Sequence, residues 1–161
     1  MMGEMGEINM DGVAEAMTVA GGPWSPVGPS AMLPEQLNVL LVEDDDADAY
    51  LVHRALQRNP RVQNIVRARD GVEALELLEE GGLRPDLAII DLRMPRKDGF
   101  ALLREIDQRE DVDFPSIVLT SSRAGADNYR SYKRGARMVL CKPHTAEKLA
   151  TVLNGAITQL S

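Results

Sequence analysis

"DLAIIDLRMPRKDGFALLREIDQRE" (residues 86–110) changes hydrophobic period halfway along. Leu87, Ala88, Ile89 and Ile90 form an unbroken apolar run closed by Asp91, and a strand that does not alternate is one buried on both faces. "PRKDG" (95–99) then reads as a turn feeding a capped helix, with Gly99 placed there for packing or backbone freedom. From Asp98 the pattern is helical. The same unit recurs on either side. "NVLLVE" (38–43) is followed by a helical stretch at 46–59, and "VQNIVRA" (62–68) by one at 70–82. "SIVLT" (116–120) precedes 124–135, and "ARMVLC" (136–141) precedes 144–160. In the last segment Leu149, Val152, Leu153, Ala156, Ile157 and Leu160 keep the spacing of one helix face.

Five strand–helix repeats predict a parallel sheet covered on both sides. The chain is too short for an eightfold barrel, so an open, doubly wound α/β sheet is expected. Such sheets bind ligands beyond the carboxyl ends of their strands.

Composition sets the outer bounds. Of 161 residues, 44% are hydrophobic and 27% charged, which is ordinary for a globular domain. The net charge of −7 is unevenly spread. Residues 1–36 hold Glu4, Glu7, Asp11, Glu15 and Glu35 with no Lys or Arg, leaving 20 acids against 18 bases in 37–161. That near-neutral body gives no electrostatic case for a nucleic-acid partner. Residues 1–36, with the Pro- and Gly-dense "GGPWSPVGPSAMLP" (21–34), read as a disordered N-terminal arm, and Trp24 as a solvated residue within it. No apolar run approaches a membrane span, no secretory signal is present, and the single Cys141 suits a reducing compartment, so a cytoplasmic address is expected.

At the strand ends stand Glu43 and Asp44 after the first strand, Asp91 closing the third, Thr120 closing the fourth and Lys142 after the fifth. The end of the second strand, "RARD", offers nothing notable. Carboxylates gathered this closely repel one another, and a hard cation with oxygen ligands offsets that; Mg²⁺ is usual where phosphate is involved. A hydroxyl and an ammonium add donors for phosphoryl oxygens. Together these groups suffice to move a phosphoryl group onto an Asp as an acyl phosphate.

In this order and spacing, "LLVEDD" (40–45), "DLAIIDLRMPRKDG" (86–99), "PSIVLTSS" (115–122) and "CKP" (141–143) resemble the receiver domain of two-component response regulators. The resemblance spans about 38–160 and assigns 37–161 to the receiver. "EDDDAD", "LRMPRKDG" and "LTSS…RSYKRGA" are most similar to single-domain regulators paired with phytochrome-type sensor kinases. It implies a flavodoxin-like strand order of 2-1-3-4-5. It also implies Asp91 as phosphoacceptor, Asp44 as a direct Mg²⁺ ligand, Glu43 acting through water and Arg93 offering its backbone carbonyl. Thr120, Lys142 and the Ser121 backbone would bind the phosphoryl group, and Pro143 would be a cis-proline. A sensor histidine kinase is the expected partner, and a homodimer would use the fourth helix, fifth strand and fifth helix. With no output domain expected, the signal would leave through a partner protein, a phosphorelay step or oligomerisation. Arg93 and Ser122 fall where related domains tune dephosphorylation. One departure stands out: the aromatic usually found three residues before the Lys is Val139 here.

Other residues have plainer readings. Asp45, Asp46 and Asp48 suit a first helical turn, where the helix dipole favours acids and one of Asp45 or Asp46 can cap. His53 reads as a surface or partly packed residue, His144 as an early helix residue and Cys141 as a buried strand residue. The basic run at 129–137 is either a solvated face or a partner surface. Two rival functions follow from the same residues. Val139 allows a phosphorylation-independent adaptor, whereas a haloacid-dehalogenase-type phosphohydrolase would need an acid at Arg93.

Overall fold

The computed structural model of the chain describes residues 33–94, 97–121 and 125–161, with the backbone alone for 125–127 and 129. Residues 1–32, including Trp24, and Pro95, Arg96 and Ser122 lie outside the described residues. The elements alternate strictly: β1 (Leu37–Val42), α1 (Asp46–Gln57), β2 (Val62–Ala68), α2 (Gly71–Glu79), β3 (Leu87–Asp91), α3 (Gly99–Asp107), β4 (Ser116–Thr120), α4 (Gly125–Lys133), β5 (Met138–Cys141) and α5 (Ala146–Leu160). The five strands are all parallel, in the order β2-β1-β3-β4-β5, as the resemblance implied.

Strand composition follows from burial on both faces. Val39, Leu41, Leu87, Ile89, Ile117, Leu119, Met138 and Leu140 pack toward α1 and α5. Leu40, Val42, Ala88, Ile90, Val118 and Val139 pack toward α2 and α3. Alternate side chains therefore enter opposite layers, and neither layer tolerates a polar residue until the strand ends. Four helices begin where a side chain accepts an otherwise unpaired N–H three residues on: Asp45 from Asp48, Asp70 from Glu73, Asp98 from Ala101 and Thr145 from Lys148. Each such cap contributes about 1 kcal/mol and fixes the turn by which the chain leaves the strand.

Residues 33–36, given to the arm by the sequence reading, lie against the body. Leu33 is buried in the α1–α5 layer, and its N–H donates to the Leu160 carbonyl at 3.1 Å. Arg61 reaches the carbonyls of Leu33, Pro34 and Glu35 and the hydroxyl of Ser161. This clasp joins the two ends of the described chain at the base of the sheet, away from the carboxyl ends of the strands.

Candidate functional site: an acidic pocket at the strand ends

β1 and β3 are neighbours, so their carboxyl ends bring Glu43, Asp44 and Asp91 together. One carboxylate oxygen from each lies within 4.8 Å of the others. Glu43 and Asp91 are buried, while Asp44 is half-buried. From the far side of β4, Lys142 brings its Nζ to 3.1 Å from Glu43 Oε1, 3.2 Å from Asp48 Oδ2 and 3.7 Å from Asp91 Oδ1. Its own N–H donates to the Thr120 carbonyl at 2.7 Å, tying the β5 end to β4. Thr120 is buried, with exposed Ser121 next to it at the same end.

Charge is not balanced in this pocket. Burial, then repulsion from Asp91, pushes Glu43 up to about 7, against the opposing pull of Lys142. Burial also raises Asp91, with Lys142 and a hydrogen bond from Glu43 working the other way. Burial pulls the Lys142 ammonium down, but Asp91, Glu43 and Asp48 outweigh it and hold it above its ordinary value. One ammonium among these acids leaves negative charge to spare. An all-oxygen donor set with uncompensated charge fits Mg²⁺ or Mn²⁺.

Gly99 explains how α3 can stand so close. A Cβ there would meet the Asp91 carbonyl oxygen at 2.5 Å and the Leu92 Cα at 2.7 Å. Its role is close packing against the acid that closes β3, since its φ is not positive. Beside Asp44 a cavity of about 440 Å³ opens toward α4, lined also by Arg93, Asp98 and Arg130, whose guanidinium stacks 3.9 Å from the Phe100 ring centroid.

Some placements agree with the sequence reading and others differ from it. Asp45 is the cap of α1, with its Oδ1 accepting from Asp48 N–H at 2.9 Å. Asp48, assigned to the helix dipole, also pairs with Lys142; the approach of the β5 end to α1 has no local signature. Arg67, in the segment passed over as unremarkable, is the larger omission. Its guanidinium donates to the carbonyls of Glu43 and Asp44 at 3.0 and 3.2 Å and to Asp46 at 2.8 Å. Pairing of β1 with β2 was the one clue, because it places Leu41 beside Arg67. Pro143 is a correction. No peptide bond among the described residues is cis, so Lys142–Pro143 is trans. Trans is the intrinsically favoured form by about 0.5–1 kcal/mol, and Lys142 reaches the acids without the bend. His53 is half-buried, as read, whereas Cys141 is half-buried rather than buried and His144 is exposed and lies just before the Thr145 cap of α5 rather than in the helix.

Val139 is buried and occupies the position three before Lys142. An aromatic reaches it from elsewhere: the Tyr132 hydroxyl on α4 accepts from Val139 N–H at 3.1 Å, on the edge of β5 that no strand among the described residues covers. Burial raises the Tyr132 phenol above its ordinary range, so it stays protonated.

An open, all-parallel sheet with an acid-lined, lysine-closed pocket beyond the carboxyl ends of its strands places the chain in the doubly wound class of α/β proteins. More narrowly, residues 39–154 match the response regulator receiver domain, and the chain belongs to that family. Response regulator Rcp1 of Synechocystis sp. is 34% identical over 73% of this chain and 84% of its own length. The phosphorylated cyanobacterial phytochrome response regulator RcpA superposes with a TM-score of 0.69 at 31% identity, covering 75% of this chain and 91% of RcpA. The Mn²⁺-bound form of Rcp1 gives 0.67 at 34% identity over 74% and 90% of the two chains. The similarity to phytochrome-associated regulators read from the sequence is thus borne out. Receiver domains are signalling modules and generally not enzymes, and Arg93 stands where a phosphohydrolase of the haloacid-dehalogenase type would need its acid. No helix among the described residues is long and apolar enough to cross a membrane.

Proposed function

We propose that this chain is a phosphoacceptor switch: Asp91 takes a phosphoryl group from a sensor histidine kinase, and the change is read by a partner protein or by self-association. The observation that carries this reading is Asp91 itself, buried beside Glu43 and Asp44 and 3.7 Å from the Lys142 ammonium. An Asp91 carboxylate oxygen attacks phosphorus, forming the acyl phosphate as the P–N bond to the donor imidazole breaks, and the imidazole leaves with its electron pair and takes up a proton. Glu43, Asp44 and Asp91, with the Arg93 carbonyl, would hold Mg²⁺, which when bound offsets the charge of the attacking carboxylate and the phosphoryl oxygens. Lys142 and the Thr120 hydroxyl donate to those oxygens, with the Ser121 backbone beside them. Arg93 and Arg130 line the cavity on the approach and favour an anionic donor.

The names of the relatives support a phytochrome-type kinase as partner. Phosphorylation would bias an equilibrium between two conformations of the domain, and a homodimer would use α4, β5 and α5. Incubation with acetyl phosphate and Mg²⁺ tests the core of the reading. A mass gain of one phosphoryl group, absent in Asp91→Ala, is expected; no gain in the wild type overturns it. Val139 favours a second reading, a constitutive adaptor. Equal partner affinity for wild type and Asp91→Ala, with and without phosphodonor, would establish that one instead.

A further inference from the structure

We propose that Asp48 is a positioning residue for Lys142, anchoring the ammonium beside Asp91 so that one of its N–H groups remains for an incoming phosphoryl oxygen. This rests on the phosphoacceptor reading of Asp91. A lysine ammonium carries three donors. Two are engaged at hydrogen-bond distance, by Glu43 at 3.1 Å and by Asp48 at 3.2 Å. Asp91 Oδ1, at 3.7 Å, lies beyond that distance, so the third donor is uncommitted on the side where the phosphoryl group would form.

Asp48 suits the anchoring task better than Glu43 does. Glu43 is one of the three clustered carboxylates and would share its charge with a bound cation; Asp48 is not part of that cluster. Its backbone is fixed, because its N–H donates to the Asp45 cap at the start of α1. Lys142 brings a long, flexible stem from a different element, and its side chain is only 13% exposed. With Asp48 removed, a single partner would restrain that stem, and the ammonium would drift from the acceptor.

The sign of the effect separates positioning from simple electrostatics. Deleting a negative charge near the pocket would, by charge alone, draw an anionic donor in and speed phosphorylation. Loss of a positioning contact slows it. With acetyl phosphate at saturating Mg²⁺, Asp48→Ala should react about tenfold more slowly than wild type. Asp48→Asn, which keeps an acceptor oxygen and the side-chain shape, should recover most of the rate. In a Lys142→Met background, Asp48→Ala should slow the reaction no further. Equal slowing in both backgrounds, or a faster Asp48→Ala, overturns the proposal. A crystal structure of metal-free Asp48→Ala reads the anchor without any phosphoryl chemistry: Nζ should leave its place beside Asp91, and an unmoved Nζ also overturns it. Failure of wild-type protein to react at all would instead refute the phosphoacceptor reading.

Discussion

Glu43 is a glutamate only 2% exposed, and its burial costs free energy whenever it is ionised. With its pKa pushed to about 7, metal-free Glu43 holds a proton through most of the acidic range. A cation requires the carboxylate, so binding must expel that proton. Mg²⁺ affinity should therefore fall about tenfold for each pH unit below about 7. Calorimetry in two buffers of different ionisation enthalpy should detect about one proton released at pH 6; an affinity that is flat with pH would contradict the assignment. Arg67 holds the other half of the arrangement, because its guanidinium ties down the carbonyls of Glu43 and Asp44. Arg67→Ala should cost about 1–3 kcal/mol of stability in denaturant unfolding and weaken Mg²⁺ binding, as the loop carrying both acids loses its tether. Asp46 responds to the same change. Its hydrogen bond from Arg67, with Arg69 nearby, holds its pKa below the usual carboxylate range, and in Arg67→Ala it should return toward it.

Among the elements, α4 and β5 carry the unusual device. Where the family's aromatic is replaced by Val139, Tyr132 crosses from α4 to cap the exposed edge of β5. An edge N–H left without a partner in a partly buried setting is costly. Tyr132→Phe keeps the ring but removes the acceptor, and should destabilise the protein by about 1 kcal/mol in urea unfolding. An unchanged midpoint would mean the N–H finds water instead. Gly99→Ala should be more damaging, because the added methyl meets the Asp91 backbone rather than a movable side chain. A loss of about 1–3 kcal/mol, with poorer Mg²⁺ binding by calorimetry, is expected. Elements of this kind differ in how far the sequence reveals them. Non-alternating apolar runs and strand-end acids placed β1, β3 and β4 and the acids Glu43, Asp44 and Asp91, since burial and charge are written residue by residue. Helix ends were read too far: α1, α2 and α3 stop at Gln57, Glu79 and Asp107, where the following carbonyls turn into tighter bonds or loops. Arg67 and Asp48 act on residues distant in the chain, and Tyr132 reaches from α4 to the edge of the next strand, so local spacing carries no trace of these contacts.

For the molecule as a whole, the acidic pocket opposes folding. Two buried carboxylates have raised pKa values, so the folded state binds protons more tightly than the unfolded chain does. Glu43 therefore stabilises the metal-free fold fully below its unfolded value of about 4.5, and that contribution is lost as pH rises through about 7. Carboxylates of the Asp46 type act in the opposite sense, gaining stability above the unfolded value and losing it in acid. Between about pH 5 and 7.5 the pocket should dominate, because Asp46 is already fully ionised there. Metal-free protein should lose stability across that window, and saturating Mg²⁺ should restore it, since a ligand bound a hundredfold above its dissociation constant adds about 2.7 kcal/mol. Asp91→Asn offers the decisive comparison. It removes the repulsion that helps raise Glu43 while keeping the shape of the side chain, so at pH 7.5 the variant should melt above metal-free wild type. Its melting temperature should also respond less to pH and to Mg²⁺. If Asp91→Asn instead melts lower, with its dependence on pH and Mg²⁺ unchanged, then charge repulsion between Asp91 and Glu43 is not what limits the stability of this fold.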